Sequence, residues 1–288
     1  MTAGWEIAFA PGAELAERPV WECSDESLLW VDIHAGAVHR LVDGVDTAFH
    51  AGCAVGAAGR RRSGGYVLAT ADGFVLTGPE GTPEGDPIRP SGLAEGQRFN
   101  DGAVDPVGRF WAGTVATQDA PGRLFCLDTD VRVRVVLDEL TESNGIAWSP
   151  DGTRMYFVDS GEPRIRTYAF DVESGTVTAL DDLAVLDAEI DGTPDGLTTD
   201  SAGAIWVALW GGSAVRRYAP DGTLLACHAL PVTQVTCPAL GGPGLRRLFV
   251  TTAWEGMDDA ERARQPEAGH LFVRTVPTPG VPSPWFAA

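Results

Sequence analysis

The chain has 288 residues, with Lys+Arg 21 against Asp+Glu 40 and a formal charge of −19. All of its basic residues are Arg, which excludes lysine Schiff-base chemistry and a Walker phosphate loop, and the acidic balance opposes nucleic acid and anionic membrane as partners. A hydrophobic share of 44% excludes disorder, while Gly 35 and Pro 20 make the chain rich in turns.

The first element in chain order is Trp5-Glu6-Ile7-Ala8-Phe9, which alternates as a strand without a hairpin partner beside it. No positive residue precedes Arg18, so the basic region of a secretory signal is missing. Uncharged stretches such as 47–59 are too short and too Gly-rich to span a bilayer. The five cysteines form no CxxC pair and are odd in number, which predicts reduced thiols and a cytoplasmic protein.

Short aromatic and β-branched runs then recur along the chain. They are Leu28-Leu29-Trp30-Val31, Tyr66-Val67-Leu68, Phe110-Trp111-Ala112, Met155-Tyr156-Phe157-Val158, Ile205-Trp206-Val207 and Leu248-Phe249-Val250. Most follow a Gly-containing turn, such as Asp105-Pro106-Val107-Gly108 or Asp200-Ser201-Ala202-Gly203. Another short strand precedes each turn (145–148, 196–199), and an alternating strand follows the aromatic run (37–41, 164–168, 214–218). Only 258–264 reads as helix.

Four antiparallel strands repeated at ~40 to 50 residues predict an all-β, six-bladed β-propeller forming one domain over residues 1–288. An open ring would expose unpaired strand edges. The N-terminal strand is therefore expected to complete the last blade beside segments 246–253 and 269–276.

In such a ring the innermost strands line a central channel, and residues just before them converge on one end of the axis. Counting back from the aromatic runs places Glu17, Asn100, Asn144 and Asp195 at equivalent positions. Taken singly, Asn144-Gly145 and Asp195-Gly196 read as hairpin turns, and Glu17 reads as a solvated loop residue. Taken together, buried carboxylates and carboxamides call for a counter-charge. An all-oxygen donor set suits a hard divalent cation such as Ca²⁺, Mg²⁺ or Mn²⁺. The five His are read as surface or turn residues, and no GxSxG elbow supports a covalent route.

At these residues the chain resembles the gluconolactonase, regucalcin and senescence-marker-protein family of six-bladed propellers. The matching segments are 15–21, 98–102 with 105–114, 143–149 and 194–197, and further along 235–238 with 248–253. The resemblance implies a metal-dependent sugar lactonase that opens aldonolactones. It implies one divalent cation (Ca, Zn, Mn, Mg or Fe) held by Glu17, Asn144 and Asp195, with Arg98 and Asn100 on substrate hydroxyls and Asp195 also the general base. Two positions depart from the family: Arg18 stands where a Gly is usual, and Gln118 stands where some members have a substrate-contacting Glu. The remaining readings are a Ca-dependent aryl-ester or organophosphate hydrolase, or a non-catalytic propeller that binds calcium or protein.

Overall fold

Each of the apolar runs forms the second strand of a small antiparallel sheet in a computed structural model that describes residues 4–288. After β1 (Glu6–Phe9), blade 1 holds β2 (Ala16–Glu22), β3 (Ser27–Asp32), β4 (Ala37–Val42) and β5 (Val45–His50). Blade 2 holds β6 (Val55–Arg60), β7 (Tyr66–Thr70) and β8 (Gly73–Thr77). Blade 3 holds β9 (Phe99–Val104), β10 (Phe110–Thr114), β11 (Gly122–Leu127) and β12 (Val133–Leu140). In blade 4, β13 (Ser143–Trp148), β14 (Arg154–Asp159) and β15 (Arg164–Phe170) are edged by both β16 (Val177–Ala179) and β17 (Ala184–Val185). A short helix α1 (Ala188–Asp191) leads into blade 5, with β18 (Thr193–Thr199), β19 (Ile205–Trp210), β20 (Ala214–Tyr218) and β21 (Leu224–Ala229). Blade 6 holds β22 (Val235–Gly241), β23 (Arg247–Thr252), helix α2 (Asp259–Arg264) as an insertion, and β24 (Leu271–Thr275).

Two details differ from a uniform four-strand repeat. Blade 2 has three strands, because the segment where a fourth would run carries Pro79, Pro83, Pro87 and Pro90, which lack the N–H a ladder needs. Only isolated bridges, Phe74 with Ile88 and Thr77 with Pro83, cover that edge. In blade 4 the outer position is shared by β16 and β17, which pair with successive parts of β15.

The ring closes as the sequence predicts. β1 lies antiparallel to β24 with Glu6 opposite Val273, so the first strand completes the last blade. Trp5 is buried, and its Nε1 donates to the Ala229 carbonyl of blade 5 at 2.8 Å. Six apolar clusters lie in the seams between neighbouring blades, each around a second-strand residue: Trp30, Val31, Val67, Trp111, Val207 and Trp206. The turns carry their own polar anchors. The buried Asp105 accepts from the Gly108 and Arg109 amides and from Trp111 Nε1 at 3.0 Å. Asp200 does the same for Ala202, Ala204 and Trp206 Nε1. One carboxylate thus ties a turn to the aromatic residue of the next strand.

The inner strands β2, β6, β9, β13, β18 and β22 neighbour one another around the axis. The C-terminal tail crosses the end of the axis where these strands finish. Residues 281–284 line a cavity of about 310 Å³ there with Val20, Glu22, Ile146 and Leu240. Beyond it Phe286 is fully buried and bonds Arg60 O through its amide at 2.8 Å, and Trp285 Nε1 donates to Glu22 Oε2 at 2.7 Å.

Deleting residues 1–10 removes the β1 ladder and the buried Trp5, so Tm should fall by roughly 10 °C in a calorimetric scan, with a less cooperative transition. An unchanged melt refutes the closure role of β1. A second expectation concerns pH. Burial pushes the Glu22 carboxyl up to about 7, against the hydrogen bond from Trp285 and the nearby Arg60. The unfolded chain releases this proton near pH ~4.3, so its stabilising contribution is complete below that value and lost as pH rises through about 7. The Glu22→Gln variant cannot ionise, and relative to it the wild type should lose about 1 to 3 kcal/mol between pH 4 and pH 8. A constant difference across that range refutes the assignment.

Candidate active site

The starting ends of the inner strands meet at the opposite end of the axis. Glu17, Asn100 and Asn144 are second residues of β2, β9 and β13, and Asp195 is third in β18. They sit inside the strands rather than in the loops before them. With Arg98, which immediately precedes Phe99 of β9, all of them line one cavity of about 310 Å³. The five residues singled out in the sequence therefore share one wall system.

A backbone irregularity aims these side chains. In the β2–β3 ladder the pairing jumps from Glu17–Val31 to Val20–Leu29; in β13–β14 it jumps from Ser143–Asp159 to Ile146–Phe157, and in β18–β19 from Pro194–Leu209 to Leu197–Val207. β6, β9 and β22 break register against their partners in the same region. Each inner strand thus carries a bulge, a device that turns side chains out of the regular alternation. The glycines that follow Asn144 and Asp195 serve close approach, not a hairpin. A Cβ on Gly145 would lie 2.5 Å from the Asp195 carbonyl oxygen, and one on Gly196 would lie 2.4 Å from Cys237 Sγ. Neither glycine has a left-handed φ.

Hydrogen bonds fix the orientation of each group. Asn144 Nδ2 donates to Ser160 Oγ at 3.0 Å, and that hydroxyl donates to Pro194 O at 2.9 Å, next to Asp195. This leaves Asn144 Oδ1 buried and without a partner, as is Asp195 Oδ1. Glu17 Oε2 accepts the Arg18 amide at 2.7 Å. On the other side, Arg98 Nη1 donates to Asn100 Oδ1 at 2.6 Å while Asn100 Nδ2 donates to Ser143 O at 3.2 Å. The Asn100 carboxamide is locked at both ends.

The cluster is electrostatically loaded. Burial raises the Asp195 carboxyl well above the usual carboxylate range, and Glu17, Glu142 and Asp101 raise it further. Burial also raises Glu17, with Asp101 adding to it. Glu17, Asn144 and Asp195 are each no more than 5% exposed. Among the described residues no three His, Cys, Asp or Glu side chains are grouped as metal ligands, the donors here being two carboxylates and a carboxamide. Two partnerless buried oxygens facing one cavity beside a desolvated carboxylate fit a hard divalent cation.

Three further acidic residues belong to the site. Asp101, next to Asn100, is almost fully buried and contributes charge from below. Glu142 lines the cavity, and strand alternation from Asn144 could have found it. Glu255 lines the mouth, where its Oε1 meets His34 Nε2 at 2.5 Å. That contact joins residues 221 apart and left no local signal. His34, read as a surface residue, is thus a neighbour of the site. Gln118 lies in an exposed bend and does not line the cavity.

Comparisons with known proteins show the family of the chain. Residues 15–254 match the family model described as "SMP-30/Gluconolactonase/LRE-like region". The chain is 37% identical over 280 residues to a 6-deoxy-6-sulfogluconolactonase of Pseudomonas putida, covering 95% of each. It is 36% identical over 281 residues to the pentonolactonase XacC of Haloferax volcanii, covering 93% of each. The zebrafish (Danio rerio) regucalcin is 34% identical over 280 residues, covering 91% of this chain and 90% of the relative. Among solved structures, a calcium-binding regucalcin from Agrobacterium tumefaciens superposes with a TM-score of 0.91 at 28% identity, over 100% of this chain and 98% of the other. By the ring of blades, the site at its axis and these matches, the chain belongs to the SMP-30/gluconolactonase/LRE-like family.

Proposed function

We propose that residues 1–288 work as one domain that hydrolyses sugar lactones with the help of one divalent cation held by Glu17, Asn144 and Asp195. The observation that carries this reading is the pair of buried, partnerless oxygens, Asn144 Oδ1 and Asp195 Oδ1, facing the cavity that Arg98 and Asn100 also line. Bound there, the cation would supply Lewis-acid polarisation of the lactone carbonyl.

The chain's own residues do the rest. Asn100, locked between Arg98 and the Ser143 carbonyl, presents a fixed amide whose second N–H is directed by its neighbours, and Arg98 sets a rigid guanidinium beside it. Together they orient the hydroxyls of the ring and trade diffusion for geometry. The Asp195 carboxylate takes the proton of the attacking water. The water oxygen bonds the carbonyl carbon, the ring C–O bond breaks, and the proton passes to the departing ring oxygen as a hydroxyl. A base works best when its affinity for protons is matched to the working pH, and burial raises Asp195 in that direction. A neutral polyhydroxylated lactone meets no repulsion from a chain of charge −19.

The deciding measurement is pH-indicator hydrolysis of five- and six-carbon aldonolactones above the uncatalysed rate, with chelator and with Ca²⁺, Zn²⁺, Mn²⁺, Mg²⁺ or Fe²⁺ added back. Activity should vanish with chelator and return with at least one cation. Metal-replete Asp195→Ala should lose ~10² to 10⁴ in kcat, and retained turnover overturns its role as base. Asn144→Ala should weaken the cation, so excess metal should restore part of the rate; an absence of rescue would assign Asn144 to structure alone. Cation binding without lactone turnover would support the calcium-binding reading that the regucalcin relatives suggest.

A further inference from the structure

We infer that Arg18 is an internal counter-cation, a guanidinium that stands in the channel as a second positive charge beneath the cation of the proposed reading, on which this inference rests. The residue occupies the β2 bulge, in the stretch skipped between the Glu17–Val31 and Val20–Leu29 pairs. Its φ is +43°, a left-handed backbone that side chains with a Cβ rarely hold. It also precedes Pro19, which favours extended backbone at the residue before it. A non-glycine residue kept in such a place needs a compensating interaction.

The interaction is with Asp101. Arg18 Nη1 lies 3.6 Å from Asp101 Oδ1, with the Arg side chain 12% exposed and the Asp side chain fully buried. At that distance the contact is one of charge rather than a hydrogen bond. Asp101 Oδ2 and Arg18 Nε have no hydrogen-bond partner. Arg18 thus links two of the carboxylates, its amide donating to Glu17 Oε2 at 2.7 Å and its guanidinium facing Asp101. Its side chain also borders the cavity at the far end of the axis, so it stands between the two cavities.

The charges then close. Glu17, Asp101 and Asp195 are three carboxylates each no more than 5% exposed, and Glu142 shares the upper cavity with Arg98. Arg18 and one divalent ion balance the three. Without Arg18 the same carboxylates would repel one another in the cation-free protein and would grip a cation far more tightly. Arg18 therefore holds the empty fold together and keeps cation binding weak enough to reverse.

Calorimetric titration with CaCl₂ and MnCl₂ tests this on wild type, Arg18→Gln, Asp101→Asn and the double variant, alongside Tm in chelator. Arg18→Gln should bind the cation roughly tenfold or more tightly and melt lower in chelator. Asp101→Asn should bind roughly tenfold or more weakly, and the double variant should return to within about threefold of wild type. Opposite signs that cancel are not expected of a merely structural salt bridge. Wild-type binding with unchanged affinity in Arg18→Gln overturns the inference alone. Should Arg18→Gln fail to fold, an unchanged affinity in Asp101→Asn does the same. A wild type that binds neither cation, nor Zn²⁺, Mg²⁺ or Fe²⁺, overturns the inference together with the reading beneath it.

Discussion

Each blade has two apolar faces and no core of its own, so it must lie between two others. That single requirement forces the ring to close, and closure brings the six inner strands shoulder to shoulder at the axis. The approach is tight enough that Gly145 and Gly196 have no room for a methyl group. Glu17, Asn144 and Asp195, spread over most of the chain, become neighbours for no other reason. The site is a by-product of how the seams are filled.

Crowding buried carboxylates at an axis imposes a second constraint. Burial raises Glu17, Asp101 and Asp195, and neighbouring carboxylates raise Glu17 and Asp195 further, so the ionised cluster calls for positive charge nearby. Arg98 and Arg18 enter from different directions, one from the mouth and one from below. The arrangement divides labour: Arg98 shares a hydrogen bond with Asn100, whereas Arg18 makes only a charge contact with Asp101.

The ring was legible because its second strands are written in aromatic and β-branched residues at near-equal spacing, and burial of Trp30, Trp111 and Trp206 follows from that pattern. The convergence of Glu17, Asn100, Asn144 and Asp195 was legible for the same reason, since equivalent offsets within a repeat become equivalent places in space. The bulges were not, because a register break depends on the partner strand and leaves no periodicity behind. For that reason Asn144-Gly145 reads locally as a turn although it lies within β13. Glu255 and His34 meet only through the closed ring, and the tail over Glu22 and Arg60 is held by two aromatic residues in a short run with no strand pattern. The three-strand blade was announced by four prolines between 79 and 90, a signal that the regularity of the other blades outweighed.

The register breaks at the start of the inner strands have a consequence for how such a protein changes over time. Because an irregular step separates the axial residues from the regular ladder, the chemistry displayed at the centre is mechanically uncoupled from the scaffold that holds it. Donors, acceptors or charges can be exchanged at those steps without disturbing the hydrophobic packing farther out. A lineage built this way can retune what it accepts while keeping its architecture intact.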